Sequence, residues 1–216
     1  MFEVYVIFFT LFSTVVINYF LIKKKLLLDK KYSPHKSFIN NDTVPLSGGI
    51  IFLLSICIFY PSEFYPFKLT LCAIFLIGIF SDLNIISSPV KRIIIQTLII
   101  FVFLYIDQTY IQSIRWLLLD HYLKNTIFGY LFALVCLVVL INGTNFMDGV
   151  NTLVIGYFLI VTLAIFYIAT NFNLELNLVL IQIILITLSV IFLFNFFDYE
   201  IILFSQYMLY LLVYVL

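Results

Sequence analysis

Residues 127–166, "IFGYLFALVCLVVLINGTNFMDGVNTLVIGYFLIVTLAIF", decide how this chain folds. Two apolar runs, 127–141 and 153–170, enclose ten residues of another kind. "NGTNFMDGVN" (142–151) carries the amides of Asn142, Asn145 and Asn151, the carboxylate of Asp148, and Gly143 and Gly149. Apolar segments of this length are membrane-grade helices, so the polar stretch lies where two spans meet the bilayer surface.

The rest of the chain follows the same pattern. Of its 216 residues 64% are hydrophobic and 10% charged, against about 25% charged in a soluble domain. This composition specifies a polytopic membrane protein. The net charge is zero, so the chain has no nucleic-acid footprint. The first apolar run, Val4–Ile22, is too long for the core of a signal peptide. No small-residue cleavage site follows it, so it reads as a retained helix. Cys57, Cys72 and Cys136 lie inside apolar runs without metal or redox spacing and read as small buried hydrophobes.

The spacing predicts spans at 4–22, 46–60, 67–80, 91–106, 127–141, 153–170, 176–197 and 201–216. The fold expected is all-α: one integral-membrane domain over 1–216, a bundle of about eight transmembrane helices. Runs of about 14–16 residues reach only about 21–24 Å at 1.5 Å per residue, so the short spans need polar flanks or shelter from neighbours. Lys23, Lys24, Lys25, Lys30, Lys31, Lys36, Lys91 and Arg92 fall on one side if every span crosses. Lys68, Arg115 and Lys124 fall on the other. The positive-inside rule makes the first side cytoplasmic and places the N-terminus outside. The segments 29–49, 81–92, 142–151 and 195–200 then share the cytoplasmic face. The outer 107–126 segment, with Trp116 and Tyr122, reads as a short amphipathic piece along the interface.

Several residues on the cytoplasmic face suit chemistry. Asn142, Asn145 and Asp148, three apart, fall within a 120° arc of a helix and present two amides and a carboxylate to one ligand. Gly143 and Gly149 allow close approach or a break. The same residues also read as a polar helix cap. Asp82, after Ser81 and before Lys91 and Arg92, suits a metal–phosphate site; the plainer reading is an interfacial N-cap beside membrane-anchoring bases. Gln96, one turn after Arg92, is placed to face the same cavity. Ser47, Gly48 and Gly49 allow backbone or ligand approach, or form a small-residue packing patch. His35 and Lys36 lie in the first cytoplasmic loop, where a solvated histidine and lipid-attracted lysines are the plain alternative. His121, on the outer side, reads as interfacial. Ionisable groups crowd the span ends, without a clear mid-span charge, which argues against a lipid or solute transporter.

"VPLSGGI" (44–50), "GIFSDLNIISSPVKRIIIQ" (78–96), "INGTNFMDGVNTL" (141–153) and "FLFNF" (192–196) occur in the order and spacing of a known family. They resemble the polyprenyl-phosphate N-acetylhexosamine-1-phosphate transferases, the glycosyltransferase family 4 that includes undecaprenyl-phosphate N-acetylglucosamine-1-phosphate transferase and phospho-N-acetylmuramoyl-pentapeptide transferase. The resemblance spans nearly the whole chain, and the asparagine-rich motif is its most specific part. It implies Mg²⁺-dependent transfer of a sugar-1-phosphate from a UDP-N-acetylhexosamine to a polyprenyl (undecaprenyl) phosphate, with release of UMP. The place implied is the cytoplasmic face of a bacterial inner membrane, and the pathway cell-wall or surface-glycan biosynthesis. Asp148 is implied as the metal or phosphate-zone carboxylate, and Asn142 and Asn145 as substrate-orienting amides. Asp82 is implied as the second member of an Asp-Asp pair. Lys91, Arg92, His35 and the Gly48–Gly49 turn are implied around the substrates. Partners implied are the UDP-sugar, the polyprenyl phosphate, the bilayer and a second copy in a homodimer.

The chain departs from the family pattern in three places. Ser81 stands where the first aspartate of the pair belongs. The family's Gly-Asp-x-Gly falls near Phe204–Ser205, and the late histidine loop is absent before Leu216. These departures read as a shortened family domain, with Asp198 and Glu200 as nearby stand-ins for the lost acid. They also keep open a catalytically inactive relative with a binding role or none.

Overall fold

The computed structural model describes residues 1–29, 44–45, 47–61, 63, 65–83, 85–86, 88–147, 152–174 and 176–196. These fold into α1 (Phe2–Lys24), α2 (Gly48–Phe59), α3 (Tyr65–Asp82), α4 (Pro89–Asp107), α5 (Leu117–Leu123), α6 (Thr126–Met147), α7 (Leu153–Asn171) and α8 (Leu178–Phe196). The fold is all-α, and its one small addition is a two-residue antiparallel ladder. That ladder pairs β1 (Leu28–Asp29) with β2 (Val44–Pro45), Leu28 opposite Pro45 and Asp29 opposite Val44. It ties the start of α2 to the end of α1. The expected span 201–216 and the loop holding His35 and Lys36 lie outside the described residues.

Helix ends follow local chemistry. Pro89 opens α4 behind an extended Ser88, a placement that wastes no hydrogen bond because a first-turn N–H has no intrahelical acceptor. α1 closes with Lys25 at φ 53°; Lys25 N–H donates to Ile22 O at 3.2 Å and Leu26 N–H to Leu21 O at 3.0 Å. That is a Schellman closure, here with lysine in the left-handed position glycine usually takes. α4 closes the same way at Gln108 (φ 53°), with Thr109 N–H donating to Leu104 O at 3.2 Å.

Five of the described helices are long and apolar enough to cross a membrane: α1, α4, α6 (through Thr144), α7 and α8. α2 and α3 are apolar but shorter. α2, with 12 residues, spans about 18 Å, well under the roughly 30 Å hydrocarbon core. Shelter is what it has: it packs on α1, α3 and α8, with Ile51, Phe52 and Ile56 fully buried. The neighbours form a closed circuit, α1–α2–α3–α4–α6–α7–α8 and back to α1, which α2 and α8 bridge.

Side-chain contacts fix the up-and-down order. Phe59, at the end of α2, meets Phe2 and Phe9 near the start of α1, ring centroids 6.0 and 5.4 Å apart. Phe67 on the first turns of α3 meets Phe103 near the end of α4 at 6.4 Å. Asn177, just before α8, donates to the Tyr60 hydroxyl at 2.7 Å. At this end Lys68 Nζ donates to Cys57 O (2.9 Å) and Tyr60 O (2.6 Å). Its charge thereby caps the carbonyl end of α2, where the helix dipole favours a cation. The segment expected along the interface carries the short helix α5. Trp116, just before α5, and Leu117, Leu118 and Tyr122 on it are exposed. Asp120 holds the lead-in, accepting from Ser113 Oγ and Ile114 N–H, both at 2.8 Å. The Ile114 amide is the main cause that keeps the Asp120 carboxyl below its ordinary range.

Candidate functional site

At the opposite end of the bundle, α3 stops and α4 starts within a tight turn. Ile85 and Ile86 N–H both donate to Phe80 O, at 2.8 and 3.0 Å. The turn brings Ser81 beside Arg92, whose Nη1 donates to Ser81 Oγ at 3.5 Å, a long contact. Asp82 is the last residue of α3, which corrects the N-cap alternative: a carboxylate at a helix C-terminus caps no N–H group. Its side chain lies outside the described set. Lys91, exposed, and Arg92, half-buried, stand in the first turn of α4. The acid at a C-terminus and the bases at an N-terminus both oppose the helix dipoles, at about 0.3–1 kcal/mol each when exposed. Helix stability does not account for these placements.

α6 runs into the asparagine motif as far as Met147 rather than ending at 141. The polar side chains explain the extension, because they turn back onto their own helix. Asn142 Nδ2 donates to Val138 O at 2.8 Å, and Thr144 Oγ1 donates to Leu140 O and Ile141 O at 2.9 and 3.0 Å. Such back-bonding gives the Asn142 and Thr144 donors an acceptor without ending the helix. Asn142 also reaches α4, its Nδ2 lying 3.5 Å from Gln96 Oε1. Gln96 is fully buried. The backbone places Asn145 one turn beyond Asn142 on the same helix; its side chain is outside the described set, and Asp148 lies outside the described residues altogether. Gly143 faces open space, with nothing within 4 Å of an added Cβ.

The structure thus brings Ser81 to Arg92 and Gln96 to Asn142, with Arg92 and Gln96 one turn apart on α4. Gly48 and Gly49 are buried in the first turn of α2, behind a fully buried Ser47, as helix packing requires. His35 is outside the described residues, as are Asp198 and Glu200. Among the described residues no three His, Cys, Asp or Glu side chains gather. Mg²⁺ does not require that: it commonly takes one or two carboxylates and completes its shell with substrate phosphates and water.

Sequence reasoning passed over two amides at this end. Asn18 on α1 and Asn195 on α8 are 4% and 6% exposed, and each has an Oδ1 without a partner among the described residues. So does Ser47 Oγ. Counting inward from the Phe59–Phe2–Phe9 contact brings Ser47 and Asn18 to about the same depth. The available signal was a single amide inside an otherwise apolar run, in "VVINYF" and "FLFNF".

Two comparisons bear on this arrangement. The model of the family described as Glycosyl transferase family 4 matches residues 64–203, the stretch from the start of α3 to beyond α8. No curated protein matches the chain.

Proposed function

Because the chain belongs to glycosyl transferase family 4, we propose that it transfers a sugar-1-phosphate from a UDP-N-acetylhexosamine to a polyprenyl phosphate at the cytoplasmic membrane face, releasing UMP. One observation carries the reading: within the matched region, Ser81, Arg92, Gln96 and Asn142 converge at one end of the bundle, the end where positive charge concentrates. A soluble nucleotide sugar and a lipid phosphate can meet only at such a membrane face.

Each group has a task in this reading. Arg92 and Lys91 screen the repulsion between two anionic substrates, and the half-buried guanidinium binds phosphate oxygens bidentately. Asp82, closing α3, and Asp148, one position beyond the end of α6, are the oxygen donors that would hold Mg²⁺, a donor set that suits a hard cation. When bound, Mg²⁺ neutralises charge developing on the diphosphate as the phosphoryl bond to UMP breaks. Asn142 and Asn145 orient the sugar phosphate from the last turns of α6.

A second reading, an inactive relative, is favoured by Ser81. Its hydroxyl receives the Arg92 contact where the family's first aspartate would form an ion pair. Purified protein in nanodiscs with Mg²⁺, undecaprenyl phosphate and UDP-N-acetylhexosamines separates the two. UMP release that Asp148→Asn abolishes supports the transferase. Absence of UMP release in the wild type, with its appearance in Ser81→Asp, supports the inactive relative.

A further inference from the structure

The amides of Gln96 and Asn142 can be oriented by chemistry alone. Val138 O only accepts, so the 2.8 Å contact to it must come from Asn142 Nδ2. The atom of Gln96 that lies 3.5 Å from that same Nδ2 must then be Oε1. Two buried atoms remain without a partner among the described residues: the donor Gln96 Nε2 and the acceptor Asn142 Oδ1. An orphaned buried polar atom costs about 1–3 kcal/mol. The two belong to amides already in contact through Nδ2 and Oε1; a donor and an acceptor are a complementary pair, and one water that accepts from Nε2 and donates to Oδ1 would satisfy both.

We propose that Gln96 is a positioning residue: with one buried water it closes an amide–water–amide ring that fixes the carboxamide of Asn142 against α4. The inference rests on the reading of Asn142 as a substrate-orienting amide and deepens it. Gln96 does not itself meet the substrate. It lies about 10 Å along α4 from Pro89, beneath Arg92, with its whole surface buried. Its work is to prevent the Asn142 side chain from rotating or flipping as the last turns of α6 engage a ligand. The ring also couples α4, which carries the bases, to α6, which carries the amides, so that both sets keep one spacing.

The test is the side-chain NH₂ resonances of Asn142, in protein labelled with ¹⁵N at Asn and Gln and assigned by their loss in Asn142→Asp. The ring predicts that Gln96→Leu shifts or broadens them. It also predicts that Gln96→Glu, which keeps the acceptor and offers a donor only when protonated, restores the wild-type positions as pH is lowered. Unmoved Asn142 resonances in both variants overturn the proposal. Gln96→Glu keeps the test available if the leucine variant fails to fold, and neither measurement needs activity. In turnover, Gln96→Leu and Asn142→Ala each lower kcat about tenfold or more, and the double variant is no worse than the single ones. Additive losses overturn positioning through Asn142. A wild type without UMP release removes the proposed transferase function and leaves the resonance test to decide the ring.

Discussion

Lys68→Met removes a charge that two carbonyls at the end of α2 depend on. The ammonium donates to Cys57 O at 2.9 Å and to Tyr60 O at 2.6 Å. A hydrogen bond to a charged group contributes about 1.5–3 kcal/mol, and a cation at a helix C-terminus adds about 0.3–1 kcal/mol. The site is half-buried, so water recovers part of both bonds once the lysine is gone. Methionine keeps most of the stem's packing. The net loss expected is about 2–3 kcal/mol. Tyr60 amplifies it, because the same residue receives Asn177 from the start of α8, so loosening the end of α2 also loosens α8. At roughly 2–4 °C per kcal/mol for a chain of this size, thermal unfolding in nanodiscs falls by about 5–10 °C. Lys124→Met, at an exposed position on the same side, is the matched control and stays within about 0.5 kcal/mol of wild type. If both variants unfold with the wild type, Lys68 is a solvated surface charge and the capping argument fails.

Other outcomes follow from the 107–126 segment, where Trp116, the only tryptophan, reports by fluorescence. Gly129→Ala places a Cβ 2.8 Å from Ile111 O and 2.9 Å from Tyr110 Cδ2; backbone cannot yield as a side chain does, so stability falls by about 1–3 kcal/mol and Trp116 emission shifts, and an unchanged melting curve would refute the contact. The Asp120 carboxyl is held below its ordinary value of 3.8, chiefly by the Ile114 amide. The hold is therefore complete above that value and is lost as pH falls through the lower folded-state pKa. A Trp116 emission step below pH 3.8 is expected in wild type and absent in Asp120→Ala, and a step common to both would assign it elsewhere.

Much of the bundle was legible because apolar runs in a membrane chain admit few structures. The spans at 67–80, 91–106, 153–170 and 176–197 became α3, α4, α7 and α8 with ends shifted by one or two residues. The short runs were read as needing shelter, and α2 has it. The end of α6 was not legible: polarity at 142–147 signals a loop, but Asn142 and Thr144 return their polar atoms to carbonyls one turn back. The family was legible in the asparagine motif and in "SPVKRIIIQ". The juxtaposition of Ser81 and Arg92 followed from two helices meeting at a short turn. Gln96 was expected near the same cavity, but its contact with Asn142 joins residues 46 apart in sequence, and no local pattern encodes that pairing. The burial of Asn18 and Asn195 depends likewise on which helices become neighbours.

The 12 residues of α2 bear on how the chain enters the bilayer. A helix that cannot reach across hydrocarbon alone has no stable place as a solitary span leaving the translocon. It needs a neighbour, and the Lys68 clasp gives α2 and α3 a common tip. The second and third helices are thus expected to insert together as a hairpin. A lesion at Lys68 would then register first as poor membrane integration during synthesis, before any folded protein exists to be destabilised.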